Sequence, residues 1–301
     1  MQPIPQGGIK VSKAKTETRG FETPSKIPPN KTHGLSQKFP IGTAQITPIG
    51  LTNIPFVQTA SINSNSDHIP LHNSSHKASY DLPSFLLANL QSIGISGEYD
   101  KSPELEKILE LNNIDIACLT ETWLSESNKD EMSFKDYYCF NLVRKNVLRA
   151  SGGVSILVKE GVHTNNLNIN VPEHIECLWL SLRPKKLPRS ISIIIVACLY
   201  YPGTTSDYAP SQEDIVFHLT ETVHHLSKNY DKPLFLIMGD LNDIKIEEIC
   251  DTCKLHQIVK VPTRNNAILD QILTNTNNEF YNDPIQLTKI GGDDHFSVLY
   301  I

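Results

Sequence analysis

Hard polar side chains stand where the apolar runs of this 301-residue chain give out. Asn89 closes "SFLLAN", Glu121 follows "IDIACLT", Asp240 and Asn242 close "PLFLIMGDLN", Asp270 opens "DQILT", and Asp293-Asp294-His295 precede "FSVLYI". Carboxylates and amides are hard oxygen donors that suit Mg²⁺ or Mn²⁺. Zinc fits less well, because histidine is scarce in the set and no thiolate joins it. A divalent cation neutralises a phosphate and a departing oxyanion, while a carboxylate or imidazole takes a proton from attacking water. The inventory therefore suits phosphate-ester chemistry. Each residue alone also has an ordinary reading: Asn89 as a turn cap, Glu121 as a solvated carboxylate, Asp270 as an ion-pair partner for Arg264. Gly292-Asp293-Asp294 reads in addition as the Gly-Asp-Asp of an RNA polymerase, but no palm domain surrounds it.

These residues need elements to bring them together. "SFLLANL" predicts a buried strand, "SPELEKILELNN" a helix with Ser102 as N-cap and Pro103 at its first position, and "IDIACLTET" a second strand, a β-α-β order. "GGVSILVK", "IECLWLSL" and "ISIIIVACLYYP" follow as strands without intervening helices, which favours antiparallel pairing. "SQEDIVFHLTETVHHLSKN" predicts a helix capped by Ser211, with Ile215, Leu219, Val223 and Leu226 inward and His218, His224 and His225 at the surface. "PLFLIMGDLND" is a buried strand. A short helical piece spans residues 246–253, and strands are expected near "QIVKV", "ILDQILT" and "FSVLYI". Strands that outnumber helices and mix both pairing modes predict a layered α/β sandwich of two mixed β-sheets flanked by helices.

Residues 1–80 carry nine of the 19 prolines and no sustained period, which predicts a disordered, mildly basic tail ahead of a domain at 81–301. The tail holds eight Lys/Arg against three Asp/Glu and the body 19 against 30. An acidic body argues against a general electrostatic clamp on DNA, yet a cation site needs excess carboxylate in any case. The six cysteines show no framework spacing and read as reduced thiols of an intracellular protein. Cys250 and Cys253 form a lone C-x-x-C with no second pair to complete a zinc site. With no secretory leader and no run of 18 apolar residues, neither secretion nor membrane spanning is expected. The nucleus or cytoplasm is the expected location, and a monomer without protein partner the expected state.

Taken in order, the motifs resemble the endonuclease/exonuclease/phosphatase superfamily, with the closest match to the endonuclease domain of LINE-type (non-LTR) retrotransposons. The resemblance covers roughly residues 84–301. "LLANLQSI" and "CLTETWL" are similar to its first two motifs, "RASGGVSILVK" to its double-glycine strand, and "LYYPG" to its Tyr-x-Pro motif. "MGDLND" matches Gly-Asp-x-Asn, "PTRNNAILDQILTN" resembles the retroelement Pro-Thr-Arg and Leu-Asp-x-Ile-Leu-Thr pair, and "DDH" stands where Ser-Asp-His is usual.

The resemblance implies a DNase I-like fold and a Mg²⁺- or Mn²⁺-dependent endonuclease that nicks DNA and leaves a 3′-hydroxyl. It makes Glu121 the principal metal ligand, with Asn89 beside the metal and Asp294 supporting the metal or the imidazole network. Asp240 would handle the nucleophilic water, Asn242 orient it, Asp270 hold His295, His295 act in acid/base steps, and Tyr200 donate to a phosphate oxygen. Arg149, Thr263 and Arg264 would meet the substrate. Asp293 departs from the pattern: a charge in place of a serine, ~5 Å from a phosphate at an effective dielectric of ~20, adds roughly 3 kcal/mol of repulsion unless screened. No reverse transcriptase segment is present, which implies a truncated or domesticated copy. The alternatives are a phosphatase or phosphodiesterase of the same fold acting on phosphoinositides or small phosphate esters, and an inactive relic. Inositol phosphatases of the superfamily carry Trp and Arg around the late aspartate, whereas Leu269 and Gln271 flank Asp270, which favours the nuclease.

Overall fold

The computed structural model describes residues 80–95, 99–145, 150–276, 279–292 and 294–301. The expected tail, Arg149 and Asp293 lie outside the described residues. Two mixed six-stranded sheets pack face to face, as expected. The first contains β1 (Phe85–Asn89), β2 (Ile116–Thr120), β3 (Tyr137–Leu142), β4 (Val154–Lys159), β11 (Ile285–Gln286) and β12 (Val298–Tyr300), in the order β11-β12-β1-β2-β4-β3. The second contains β5 (His163–Asn166), β6 (Glu176–Arg183), β7 (Ile193–Tyr200), β8 (Pro233–Asp240), β9 (His256–Gln257) and β10 (Asp270–Thr274), in the order β5-β6-β7-β8-β10-β9.

Each sheet has one parallel pair at its centre, joined by a helical crossover. β1 and β2 are connected through α1 (Ser102–Leu111), and β7 and β8 through α2 (Gln212–Asn229). Side chains alternate across a strand, so a strand buried on both faces serves two cores. On β1, Phe85 and Leu87 enter the layer between the sheets, while Leu86 and Ala88 pack with Leu105, Ile108 and Leu109 of α1. On β7, Ile194, Val196 and Cys198 face the other sheet, while Ile193, Ile195, Ala197 and Leu199 pack with Ile215, Leu219 and Val223 of α2. Four layers result: helix, sheet, sheet, helix.

Several expectations need correction. The α1 cap shifts by one residue: Ser102 is the first helical residue, and Lys101 holds the cap position without a side-chain cap bond. Ser211 does cap α2, its Oγ accepting from Asp214 N at 3.0 Å. His218 is buried rather than on the surface, because the indole N–H of buried Trp179 needs an acceptor and finds His218 Nε2 at 3.3 Å. Desolvation pushes His218 down to about 4. The three consecutive strands divide between the sheets: β4 pairs with β2 and β3, and only β6 and β7 pair antiparallel. At "QIVKV" only a two-residue strand forms. Cys250 and Cys253 lie on or beside α3 (Glu247–Cys253) as free thiols. No helix among the described residues is long and apolar enough to cross a membrane.

Candidate active site

The site lies where the layer between the sheets runs out of apolar residues. β1, β2, β7 and β8 end at one edge, and the strands antiparallel to them begin there. Cross-strand register then fixes which polar groups are neighbours. Glu176 on β6 stands opposite Tyr200 on β7, Tyr200 opposite Asp240 on β8, and Asp240 opposite Asp270 on β10. Residues paired across adjacent strands point to the same face, so this row crosses four strands. From the other sheet, Asn89 meets the row, its Nδ2 donating to Asp240 Oδ2 at 2.7 Å and to Glu121 Oε1 at 2.8 Å. Its Oδ1 accepts from Gln91 N at 3.1 Å. One amide thus ties the ends of β1, β2 and β8.

The third component enters from the segment before β12. His295 Nδ1 lies 2.7 Å from Asp270 Oδ2, both side chains buried. Thr263 holds this pair in place. Its Oγ1 accepts from Leu269 N and Asp270 N at 3.0 Å each, and its carbonyl accepts from Phe296 N at 2.7 Å. Asp294 accepts from Gln91 Nε2 at 2.7 Å and from Arg264 Nε at 2.6 Å, and its Oδ1 lies 3.8 Å from His295 Nε2. Arg264 therefore pairs with Asp294, not with Asp270. Ligand atoms of Asp240, Asp270 and His295 all fall within 4.8 Å of one another.

Local backbone serves this convergence. Gly239 precedes Asp240 because a Cβ there would stand 1.8 Å from Leu199 O on the neighbouring strand. Glu121 and Trp123 adopt left-handed φ values of 50° and 53°, as does Asn242 at 46°. Such conformations cost non-glycine residues roughly 1–3 kcal/mol each and concentrate at functional sites. The bend at Glu121 is secured by Thr122 N and Trp123 N, which donate to Gly153 O at 3.3 Å and Gly152 O at 2.9 Å.

The electrostatics follow from burial and crowding. Desolvation, then the charge of Asp270, pushes Asp240 up to about 7, against the opposing pull of His295 and Asn89. Burial lowers the His295 pKa, but the hydrogen bond to Asp270 and the charges of Asp270, Asp240 and Asp294 outweigh it and leave it raised. Burial works against Asp294 ionising, and Arg264 overrides it, holding the carboxyl below its ordinary range. Tyr200 is pushed up by desolvation and by Glu121 and Asp240, so its hydroxyl stays protonated. Asn242 is fixed by Nδ2 donating to Tyr201 O at 2.7 Å, which leaves its amide oxygen for another partner.

Asn89, Glu121, Tyr200, Asp240, Asn242, Asp270, Asp294 and His295, expected from sequence, thus converge on one edge of the sandwich. Thr263 joins them as a buried clasp for Asp270. In this rotamer Asn89 turns its nitrogen, not its oxygen, toward the carboxylates, and both oxygens of Asp294 carry partners. Sequence reasoning missed Gln91, Trp123 and the ion pair of Arg144 with buried Glu176 at the end of the polar row. A charged residue opening the otherwise apolar "ECLWLSL" was the available signal for Glu176.

No protein-family model matches the sequence, and no curated protein does. Solved structures do match the fold. They include an AP endonuclease from Leishmania major, with TM-score 0.57 and 14% identity over 72% of this chain and 86% of that one. The endonuclease domain of TRAS1, a telomere-specific non-LTR retrotransposon, matches at 0.51 and 12%, over 73% of this chain and 97% of that one. A mannosyl-6-phosphatase from Bacteroides thetaiotaomicron matches at 0.51 and 12%, over 73% and 99%. The chain has the DNase I-like fold of endonuclease/exonuclease/phosphatase proteins, the fold its motifs resemble.

Proposed function

We propose that this chain is a divalent-metal-dependent phosphodiester hydrolase that nicks DNA and leaves a 3′-hydroxyl. The observation that carries the reading is the buried Asp240–Asp270–His295 cluster, joined through Asn89 to Glu121. The donor set fits a hard cation. Two carboxylates converge on the N–H groups of one amide, a place a cation also suits, and Asp270 Oδ1 is buried with no hydrogen-bond partner. Glu121 would be the principal ligand, with Asn89 and Asp294 beside the metal. Bound there, Mg²⁺ or Mn²⁺ would supply charge neutralisation at the phosphate and the departing oxyanion.

The chain's own residues do the rest. Asp240, buried and near neutrality in its proton affinity, accepts a proton from the attacking water, which the free amide oxygen of Asn242 orients. His295, kept basic by Asp270, donates to the scissile phosphate and to the departing oxygen. The protonated Tyr200 hydroxyl donates to a phosphate oxygen. Arg264, half exposed beside Asp294, would meet the substrate backbone. The order of Pro262-Thr263-Arg264 and Leu269-Asp270 supports a retroelement-type DNA substrate over a small phosphate ester. The test presents plasmid DNA, a phosphoinositide and mannose 6-phosphate to the purified protein with Mg²⁺. The expected result is nicked DNA extendable by a DNA polymerase, with no phosphate release. Phosphate release without nicking would replace this reading with a phosphatase.

A further inference from the structure

The chain has two tryptophans, and they differ sharply. Trp179 is 2% exposed and packs in the core beneath α2. Trp123 is 38% exposed and belongs to none of the three apolar clusters, although an indole is among the side chains that gain most from burial. It is nonetheless held firmly. Its backbone is left-handed, its N–H donates to Gly152 O at 2.9 Å, and its indole Nε1 donates to Glu121 Oε2 at 3.2 Å. A strained backbone and two hydrogen bonds thus hold a solvent-exposed aromatic face directly beside the candidate metal ligand.

We propose that Trp123 is a stacking platform for a nucleobase of the substrate strand adjoining the scissile phosphate; this rests on the DNA reading above. The hydrogen bond to Glu121 uses only the edge of the indole, and no aromatic ring or cation among the described residues stacks on its face. Bases of any identity stack on such a face, giving affinity without sequence readout. The need for it follows from charge. The body from residue 81 onward holds 19 Lys/Arg against 30 Asp/Glu, so phosphate neutralisation contributes little there, and stacking supplies the affinity that cations do not. A small sugar phosphate has no flat unsaturated face to offer. Such a platform favours a substrate that brings a base.

The presence of one exposed and one buried indole makes the test direct. A short single-stranded DNA oligonucleotide is titrated into the full chain in EDTA, following tryptophan emission and, with a labelled oligonucleotide, anisotropy. The expected result is quenching of the wild type that is absent in Trp123→Phe, whose remaining indole is buried. Trp123→Phe should bind within about threefold of the wild type, because it keeps an aromatic face, while Trp123→Ala should bind about 5- to 150-fold more weakly. In nicking assays Trp123→Phe should need more Mg²⁺ at unchanged KM, since only the bond to Glu121 is lost. Binding by anisotropy with no change in emission, or equal affinity of wild type and Trp123→Ala, overturns the platform and leaves the nuclease reading standing. No oligonucleotide binding at all also overturns the platform, while the nuclease reading stands or falls separately with plasmid nicking in Mg²⁺.

Discussion

His295 Nδ1 lies 2.7 Å from Asp270 Oδ2, and the two side chains are only 1% and 0% exposed. With Nδ1 donating, the tautomer is fixed and Nε2 faces the site, while the carboxylate stabilises the imidazolium that forms on protonation. Asp270→Asn keeps the shape and removes the charge. The rate of DNA nicking should fall by about 10²-fold or more, with little loss of DNA binding, and the His295 pKa followed by NMR should drop. An unchanged His295 titration would show that Asp270 does not set its basicity.

Thr263 carries a second relationship that can be isolated. Its buried Oγ1 receives the N–H groups of Leu269 and Asp270. Thr263→Val preserves volume and leaves two donors without a partner, which costs roughly 1–3 kcal/mol each where no water enters. Thermal unfolding should show that loss, and nicking should fall with it because Asp270 loses its anchor. Thr263→Ser should restore both. A stable Thr263→Val protein would mean that the turn at Asp270 is held by other contacts.

The proton balance of the cluster gives a pH dependence. Asp240 is raised from its ordinary 3.8 to about 7 by burial and Asp270, and His295 is raised above 6.5 by Asp270 and its acidic neighbours once the opposing effect of burial is overcome. Both groups hold protons in the folded chain that the unfolded chain releases. The stabilisation is complete below their unfolded values and disappears as pH rises through their folded values. His218 works in the opposite sense, lowered to about 4 by burial, and its stabilising effect is lost as pH falls from 6.5 through 4. The window from pH 6.5 to about 7.5 separates the cluster both from His218 and from the cysteines raised by burial, which act in the same sense as pH approaches 9. In EDTA, Tm should fall across that window, and Mg²⁺ should raise Tm more at its upper end than at its lower, because a cation takes over the proton's role. A Tm that is flat or rising with pH in EDTA would contradict the charge assignment.

Much of the site was legible because a buried strand advertises its end: the apolar run stops and a polar residue takes over. Asn89, Glu121 and Asp240 were marked in this way, and Asp270 by the same change of character at the start of its strand. The register was not legible, since nothing in "ECLWLSL" states that Glu176 will face Tyr200. Pairing is decided by which strands become neighbours. For the same reason Trp123 read as one letter of a motif, although its role depends on a left-handed backbone and on the carbonyl of Gly152. β3 escaped notice because "YYCFNL" lies at a sheet edge, half-buried and without alternation. His218 was misplaced because the inner stripe of α2 is wider than its aliphatic residues, taking in Thr222 and the partner of Trp179.

The most direct measurement of the central claim is conversion of supercoiled plasmid to open circle by the purified chain, alongside Glu121→Ala and His295→Ala. The account predicts nicking by the wild type with Mg²⁺ or Mn²⁺ and none in EDTA. It predicts a higher metal requirement for Glu121→Ala, whose loss leaves the cation mostly water ligands. For His295→Ala it predicts a rate reduced by about 10²-fold or more with DNA binding retained. Equal nicking by all three proteins, or nicking that survives EDTA, would contradict it.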